Sequence, residues 1–383
     1  GSTLHPCSPA RPPHGASGDA SAVVPACAGA GAGTGEWRLP RPPSGRTGIS
    51  LAPETASDAP ALGPQPLSPL DGRYRTAVED LGSRLSEAGL NRARVHVEVE
   101  WLIHLAALRF SGAEPVSAAD AASLRAVVTG FSDADVAELA ALEATTRHDV
   151  KAVEYFVRAR LADLGLDRLA ELTHFACTSE DVNNLSTALI VQSAVREVWL
   201  PRLDAVLDAL RERVAQTADS AMLARTHGQP ATPTTMGKEL AVFVHRLERV
   251  RGRIERSEYL GKLNGATGTY AAHLAADPDR DWAAVSRDFV EHLGLTWNPV
   301  TTQIESHDWQ VELYGVLAHA NGILHNLCTD VWTYISLGYF RQIPQAGATG
   351  SSTMPHKVNP IRFENAEANF EISTALLDSL SRS

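Results

Sequence analysis

The sequence predicts an all-α fold on three observations. Apolar side chains recur at helical spacing in three tracts: Leu203, Val206, Leu207, Leu210 and Val214; then Leu240, Phe243, Leu247, Val250 and Ile254; then Leu313, Val316, Leu317, Ala320, Leu324, Leu327 and Val331. Side chains three and four apart line one helix face, and such stripes suit antiparallel packing in a bundle. The stretches between the tracts are rich in Gly, Pro, Thr and Asn, which punctuate helices rather than continue them.

Composition narrows the function. A chain of 383 residues with 44% hydrophobic residues is long enough for two or three domains, and no apolar run approaches a membrane span. A net charge of -11 argues against a general nucleic-acid binder, which needs a basic face. Cys7, Cys27, Cys177 and Cys328 lack metal-ligand spacing and fit unpaired thiols in a reducing compartment.

Taken in order, residues 1–64 are rich in Pro, Ala, Gly and Ser and read as a disordered extension. Their few acids and several arginines also suit an organellar transit peptide, so the expected location is cytoplasmic with an organellar alternative. An N-terminal helical domain is expected over 65–170. It opens on the turn-rich Ser68-Pro69-Leu70-Asp71-Gly72-Arg73-Tyr74 and continues as helix through Phe110 and from Ser117 to about Phe131. The Arg73 guanidinium has the fork geometry that suits phosphate oxygens. In Thr146-Arg147-His148-Asp149-Val150-Lys151, helical spacing puts His148 and Lys151 on one face while Val153 and Phe156 turn to the core.

A central bundle is expected over 171–383. Its first tract opens at Thr178-Ser179-Glu180-Asp181, which offers several N-cap side chains and a helix start able to bind an anion. Pro201 predicts a kink rather than an end, because the apolar pattern resumes at once. Arg225-Thr226-His227-Gly228-Gln229-Pro230 interrupts with turn chemistry, and Gly261-Lys262-Leu263-Asn264-Gly265-Ala266-Thr267-Gly268 reads as a polar glycine-rich loop. Between the last two tracts, Gly347-Ala348-Thr349-Gly350-Ser351-Ser352-Thr353-Met354-Pro355-His356-Lys357-Val358-Asn359-Pro360 supplies hydroxyls, a lysine and an amide on one loop. That kit can grip a carboxylate and hold a reactive oxygen.

The run G-S-S-T-M-P-H-K-V-N-P resembles the signature loop of the fumarase/aspartase superfamily, and its M-P-H-K form resembles the adenylosuccinate lyase branch. S-P-L-D-G-R-Y, T-R-H-D-V-K-A, H-F-A-C-T-S-E-D, R-T-H-G-Q-P-A-T-P and G-K-L-N-G-A-T-G match that branch in order, from about Ser68 to the last residues. Arg147 stands where an Asn is usual and Ser306 where a Pro is usual. The resemblance implies the fumarase/aspartase-like fold, with the family's C-terminal domain absent from this chain and a weakened nucleotide site as the expected result. It also implies a homotetramer with shared sites and no metal or organic cofactor.

The implied reaction is anti elimination of fumarate from adenylosuccinate, giving AMP, and from the succinyl-carboxamide imidazole ribonucleotide of purine synthesis. By that resemblance Ser351 is the base, His227 the acid and Glu364 the carboxylate that orients it. Lys357 and Asn359 hold the succinyl carboxylate, and Thr178 and Ser179 hold a substrate carboxylate. Gln303, Arg73 and Tyr74 meet the nucleotide, while Arg147, His148 and Asp149 line the pocket. Argininosuccinate lyase activity and a catalytically silent scaffold are the alternatives. Geometry points independently to shared sites. A tract of some 30 residues spans roughly 45 Å, so Thr178-Ser179 at its start and His227 beyond its end meet only if different copies supply them.

Overall fold

Ser86 separates the first two helices and shows how the sequence sets their boundary. Its extended backbone ends α1 (Glu79–Leu85), and its Oγ accepts the Gly89 N–H at 3.2 Å to cap α2 (Glu87–Ala107). The structure, a computed structural model, describes residues 66–343, 354 and 358–382. The expectations for residues 1–64, Ser351 and Lys357 therefore lie outside the described residues.

Buried side chains surround α2, including Val95, Val97, Val99, Trp101, Leu102 and Leu105, as suits a helix enclosed by others. Helices α3 (Ala118–Thr129), α4 (Asp133–Thr146) and α5 (Asp149–Asp163) add Leu124, Leu139, Val150, Val153 and Phe156 to the same core. Val153 and Phe156 thus face inward as the spacing predicts. Arg147, the departure from the usual Asn, caps α4 with a left-handed φ of 55°. That backbone favours Gly or Asn, which accounts for the Asn usual at this position.

The long tract is α6 (Ser179–Ser193), a π-helical turn (Ala194–Trp199) and α7 (Leu200–Gln216). The irregularity expected at Pro201 takes the form of that π turn, where the Leu200 N–H reaches back to the Val195 carbonyl. The wider turn lets the helix run on past a residue with no N–H to give. Strands β1 (Ala221–Thr226) and β2 (Gln229–Thr235) form an antiparallel hairpin, and α8 (Met236–Glu255) returns along α7. Leu240, Phe243, Leu247, Val250 and Ile254 are all buried, so the second predicted stripe is a core face. Arg211 bonded to Glu248 at 2.7 Å joins the outer edges of α7 and α8.

The chain then passes through β3 (Leu260–Gly261), α9 (Ala271–Ala276), α10 (Trp282–His292) and β4 (Thr296–Trp297), with β3 parallel to β4. Helix α11 (Asp308–Ser336) pairs with α12 (Ile361–Leu380) through Asn321 to Ser373 at 3.0 Å, Thr329 to Glu367 at 2.6 Å and Trp332 to Glu364 at 3.2 Å. Partners that fall in sequence as the other side rises define an antiparallel pair. No residue of α12 is buried, and Ile361, Ile372, Leu376 and Leu380 are exposed. The strands are short and the helices carry the core, so the fold is all-α.

Candidate active site

Six of the predicted site residues converge on the start of α6. Thr178 is its N-cap, and Asp181 in the first turn accepts the Thr178 N–H at 2.8 Å. Among the described residues no acceptor meets the N–H groups of Ser179 and Glu180, which therefore point free from the positive end of the helix. The α4–α5 junction lies beside them. His148 caps α5 by accepting the Lys151 N–H at its Nδ1 (3.2 Å), which leaves Nε2 to face Ser179 Oγ at 3.5 Å. Asp149 pairs with the buried Arg94 at 2.7 Å. Burial works against its charge, but the Val150 N–H and Arg94 more than offset this and hold its carboxyl below the usual range. Arg147 is exposed at the same junction.

Gln303 comes from a third segment, and its Nε2 donates to Thr178 Oγ1 at 3.1 Å. The loop carrying it is fixed by the fully buried Glu305, which accepts from Asn298 Nδ2 and the His307 N–H, both at 2.7 Å. His307 reaches back to Glu180 at 3.6 Å, and that carboxylate raises its pKa above the ordinary imidazole value.

The glycine-rich loop departs from its expected character, because Lys262, Leu263 and Asn264 are buried in the core. Asp181 is the reason. Its carboxylate accepts from the N–H groups of Asn264 (3.0 Å) and Gly265 (3.1 Å), with Lys262 Nζ at 2.8 Å. Asn264 Nδ2 donates in turn to Thr301 Oγ1 at 2.8 Å, two residues from Gln303. Thr178, Asp181, Asn264, Thr301 and Gln303 thus close a ring that fixes three distant segments against one another. Sequence reasoning missed Asp181, Lys262 and Glu305 as organising residues. The capping-box spacing of Thr178 and Asp181 was the available signal for the first.

His174 also escaped the sequence reading. Glu98 accepts from both its N–H (2.9 Å) and its Nδ1 (2.6 Å), just before the α6 cap. Cys177 is packed nearby, and burial pushes its thiol well above the ordinary value, which fits a packed residue rather than a nucleophile.

The remaining predicted residues lie elsewhere in this copy. Tyr74 accepts at its OH from Asn365 Nδ2 at 2.9 Å, beside Glu364, whose carboxylate is held by the Trp332 indole. Arg73 is exposed next to Tyr74, and Asn359 precedes α12, half-buried. His227 sits at the tip of the β1–β2 hairpin. Thr226 pairs with Gln229, and the two turn residues His227 and Gly228 have φ of 52° and 71°, the signature of a primed hairpin turn. From Ser179 the helical tract runs to Gln216, roughly 55 Å at the helical rise. A hairpin folded straight back would recover only about 20 Å of this. His227 and the α6 terminus of one copy therefore do not share a site.

A family profile described as lyase matches residues 72–370, most of the chain. The chain belongs to the lyase family. Within the fumarase/aspartase superfamily this lyase is 50% identical over 316 residues to adenylosuccinate lyase of Escherichia coli strain K12, covering 82% of this chain and 69% of that one. Identity to the Haemophilus influenzae adenylosuccinate lyase is 46% over the same share of each chain. Among solved structures, fumarate lyase from Mesorhizobium sp. BNC1 aligns with a TM-score of 0.61 at 20% identity, covering 79% of this chain and 64% of that one. The 3-carboxy-cis,cis-muconate lactonizing enzyme from Pseudomonas putida aligns at 0.63 with 25% identity, covering 79% and 65%. The solved structures speak to the fold. This lyase spans about two thirds of the length of these relatives.

Proposed function

We propose that this lyase cleaves the carbon–nitrogen bond of adenylosuccinate to give AMP and fumarate, and of the succinyl-carboxamide imidazole ribonucleotide to give its carboxamide and fumarate. The observation that carries the reading is the convergence of His148, Thr178, Ser179 and Gln303, from three segments, on a helix terminus with free N–H groups. Such a terminus suits a substrate carboxylate, and Gln303 supplies an amide for a nucleobase edge. The similarity to adenylosuccinate lyases of two bacteria supports the substrate class.

In the proposed reaction Ser351 takes the proton beside a succinyl carboxylate, and the electron pair moves to form the fumarate double bond as the carbon–nitrogen bond breaks. Enolate character builds on that carboxylate, where Lys357 and Asn359 neutralise it. His227 gives its proton to the departing nitrogen from the opposite side, oriented by Glu364. Arg73 and Tyr74 meet the nucleotide's phosphate-bearing end. The separation of His227 from the α6 terminus supports a homotetramer in which copies share each site. Exposed Ile361, Ile372, Leu376 and Leu380 on α12 supply apolar surface for that association. Scattered cysteines support a reducing, cytoplasmic setting.

Following fumarate absorbance with adenylosuccinate, argininosuccinate, malate and aspartate tests the proposal. Fumarate from adenylosuccinate alone is the expected result. Release from argininosuccinate instead would move the chain to the sister activity, no release from any of the four would leave only a scaffold, and unchanged release by a Ser351→Ala variant would remove Ser351 as the base.

A further inference from the structure

Asp181 presents a conflict at the start of α6. A carboxylate in the first turn stabilises the helix by occupying its positive end, yet it repels any anion brought to the same N–H groups. Here the carboxylate is fully buried, and three backbone N–H groups from Thr178, Asn264 and Gly265 already satisfy its oxygens. It also meets Lys262 Nζ at 2.8 Å, with both side chains at 0% exposure. That Nζ has no well-angled hydrogen bond to any described acceptor. Burying an ammonium is costly, and an apolar side chain of similar length would fill the space. Hydrogen bonding therefore does not explain the lysine. What only a cation supplies at this place is charge.

The backbone of Lys262 is held independently of its side chain. Asn184 Oδ1 accepts its N–H at 2.8 Å, and Asn184 Nδ2 donates to its carbonyl at 3.0 Å. The lysine is thus fixed beneath the α6 terminus whether or not its ammonium is present.

We infer that Lys262 is a buried counter-charge that neutralises Asp181 and so leaves the free Ser179 and Glu180 N–H groups attractive to a substrate carboxylate. The inference rests on reading this terminus as a substrate subsite and deepens it. Lys262 acts through Asp181 and the helix terminus without touching the ligand, so it is a positioning residue. Two effects of the lysine separate cleanly. Removing the cation alone leaves an uncompensated carboxylate under the subsite. Removing both charges restores neutrality, and the one amide oxygen of Asp181→Asn still accepts from the Thr178 and Gly265 N–H groups while the Asn264 N–H gives up its bond.

The test is equilibrium dialysis of radiolabelled fumarate against the chain, with thermal melting to monitor folding. Lys262→Met weakens fumarate binding at least about tenfold, whereas Asp181→Asn/Lys262→Met returns it to within about threefold of the parent. A folded Lys262→Met variant that binds like the parent overturns the inference, as does a folded double variant that stays as weak as the single one. Should Lys262→Met fail to fold, the double variant is compared with the parent alone: binding within about threefold supports the inference and a loss of about tenfold or more overturns it. Ser179→Ala and Thr178→Val address the underlying subsite separately. If they leave fumarate binding unchanged, the subsite reading fails whatever Lys262 does, and a parent chain that binds no fumarate overturns both.

Discussion

Gln303 Nε2 donates to Thr178 Oγ1 at 3.1 Å, joining residues 125 apart in the chain at the mouth of α6. The contact closes the ring through Asp181, Asn264 and Thr301, so Gln303 is pre-positioned before any ligand arrives. Gln303→Ala is expected to raise KM for adenylosuccinate by about tenfold, the worth of one good hydrogen bond, with kcat changed much less. Steady-state kinetics check this. A fall in kcat at constant KM would instead give Gln303 a role in the bond-breaking step.

His227 stands at a hairpin tip, with positive φ, far along the bundle from Ser179. His227→Ala is expected to lower kcat by about 10²- to 10⁴-fold, the usual contribution of a positioned acid. Mixing this variant with Ser351→Ala and allowing copies to exchange should restore roughly a quarter of the parent rate, because some sites then receive both intact groups. Mixtures as inactive as their components would mean that one copy supplies both residues.

At Gly268 the two loops behind the site approach closely. This glycine has φ of +72°, and a Cβ there would lie 2.2 Å from the Thr301 carbonyl oxygen and 2.7 Å from that of Thr302. Gly268→Ala must push the Gln303 loop away, at a cost of about 1–3 kcal/mol for the strained backbone alone. Denaturant unfolding should show the lost stability and kinetics a raised KM. A variant with parental values for both would show that the loop yields freely.

The His174–Glu98 pair gives a pH signature. Burial lowers the imidazole pKa, but the bond to Glu98 and its charge outweigh this and raise it above the ordinary 6.5. A folded-state pKa above the unfolded one means that the pair stabilises fully below 6.5 and fades as pH rises through the raised value. The difference in Tm between the parent and Glu98→Gln should therefore shrink from about pH 6 to about pH 8. A difference that grows with pH would reverse the assignment.

The hairpin at 221–235 shows where local reasoning stops. Thr226-His227-Gly228-Gln229 is legible as a turn, but Pro230 and Pro233 argue against a strand. The structure tolerates both because a two-stranded ribbon consists only of edges, where Pro233 pairs with Leu223 and Pro230 with Arg225. The long tracts present no such conflict. Leu240 to Ile254 repeat one face often enough that burial follows from spacing, and the N-cap at Thr178 follows from side-chain chemistry within one turn.

By itself the sequence determined the helical class, the order of the segments and the residue types available for carboxylate and nucleotide chemistry. Each of these depends on neighbours a few positions apart, or on motifs read contiguously. Only the tertiary structure decided that Gln303, Thr178, Ser179 and His148 converge, and that Lys262, Leu263 and Asn264 are core rather than surface. Those outcomes depend on how a buried carboxylate at 181 is satisfied by groups more than 80 residues away. Contacts at that range leave no periodic trace in the chain.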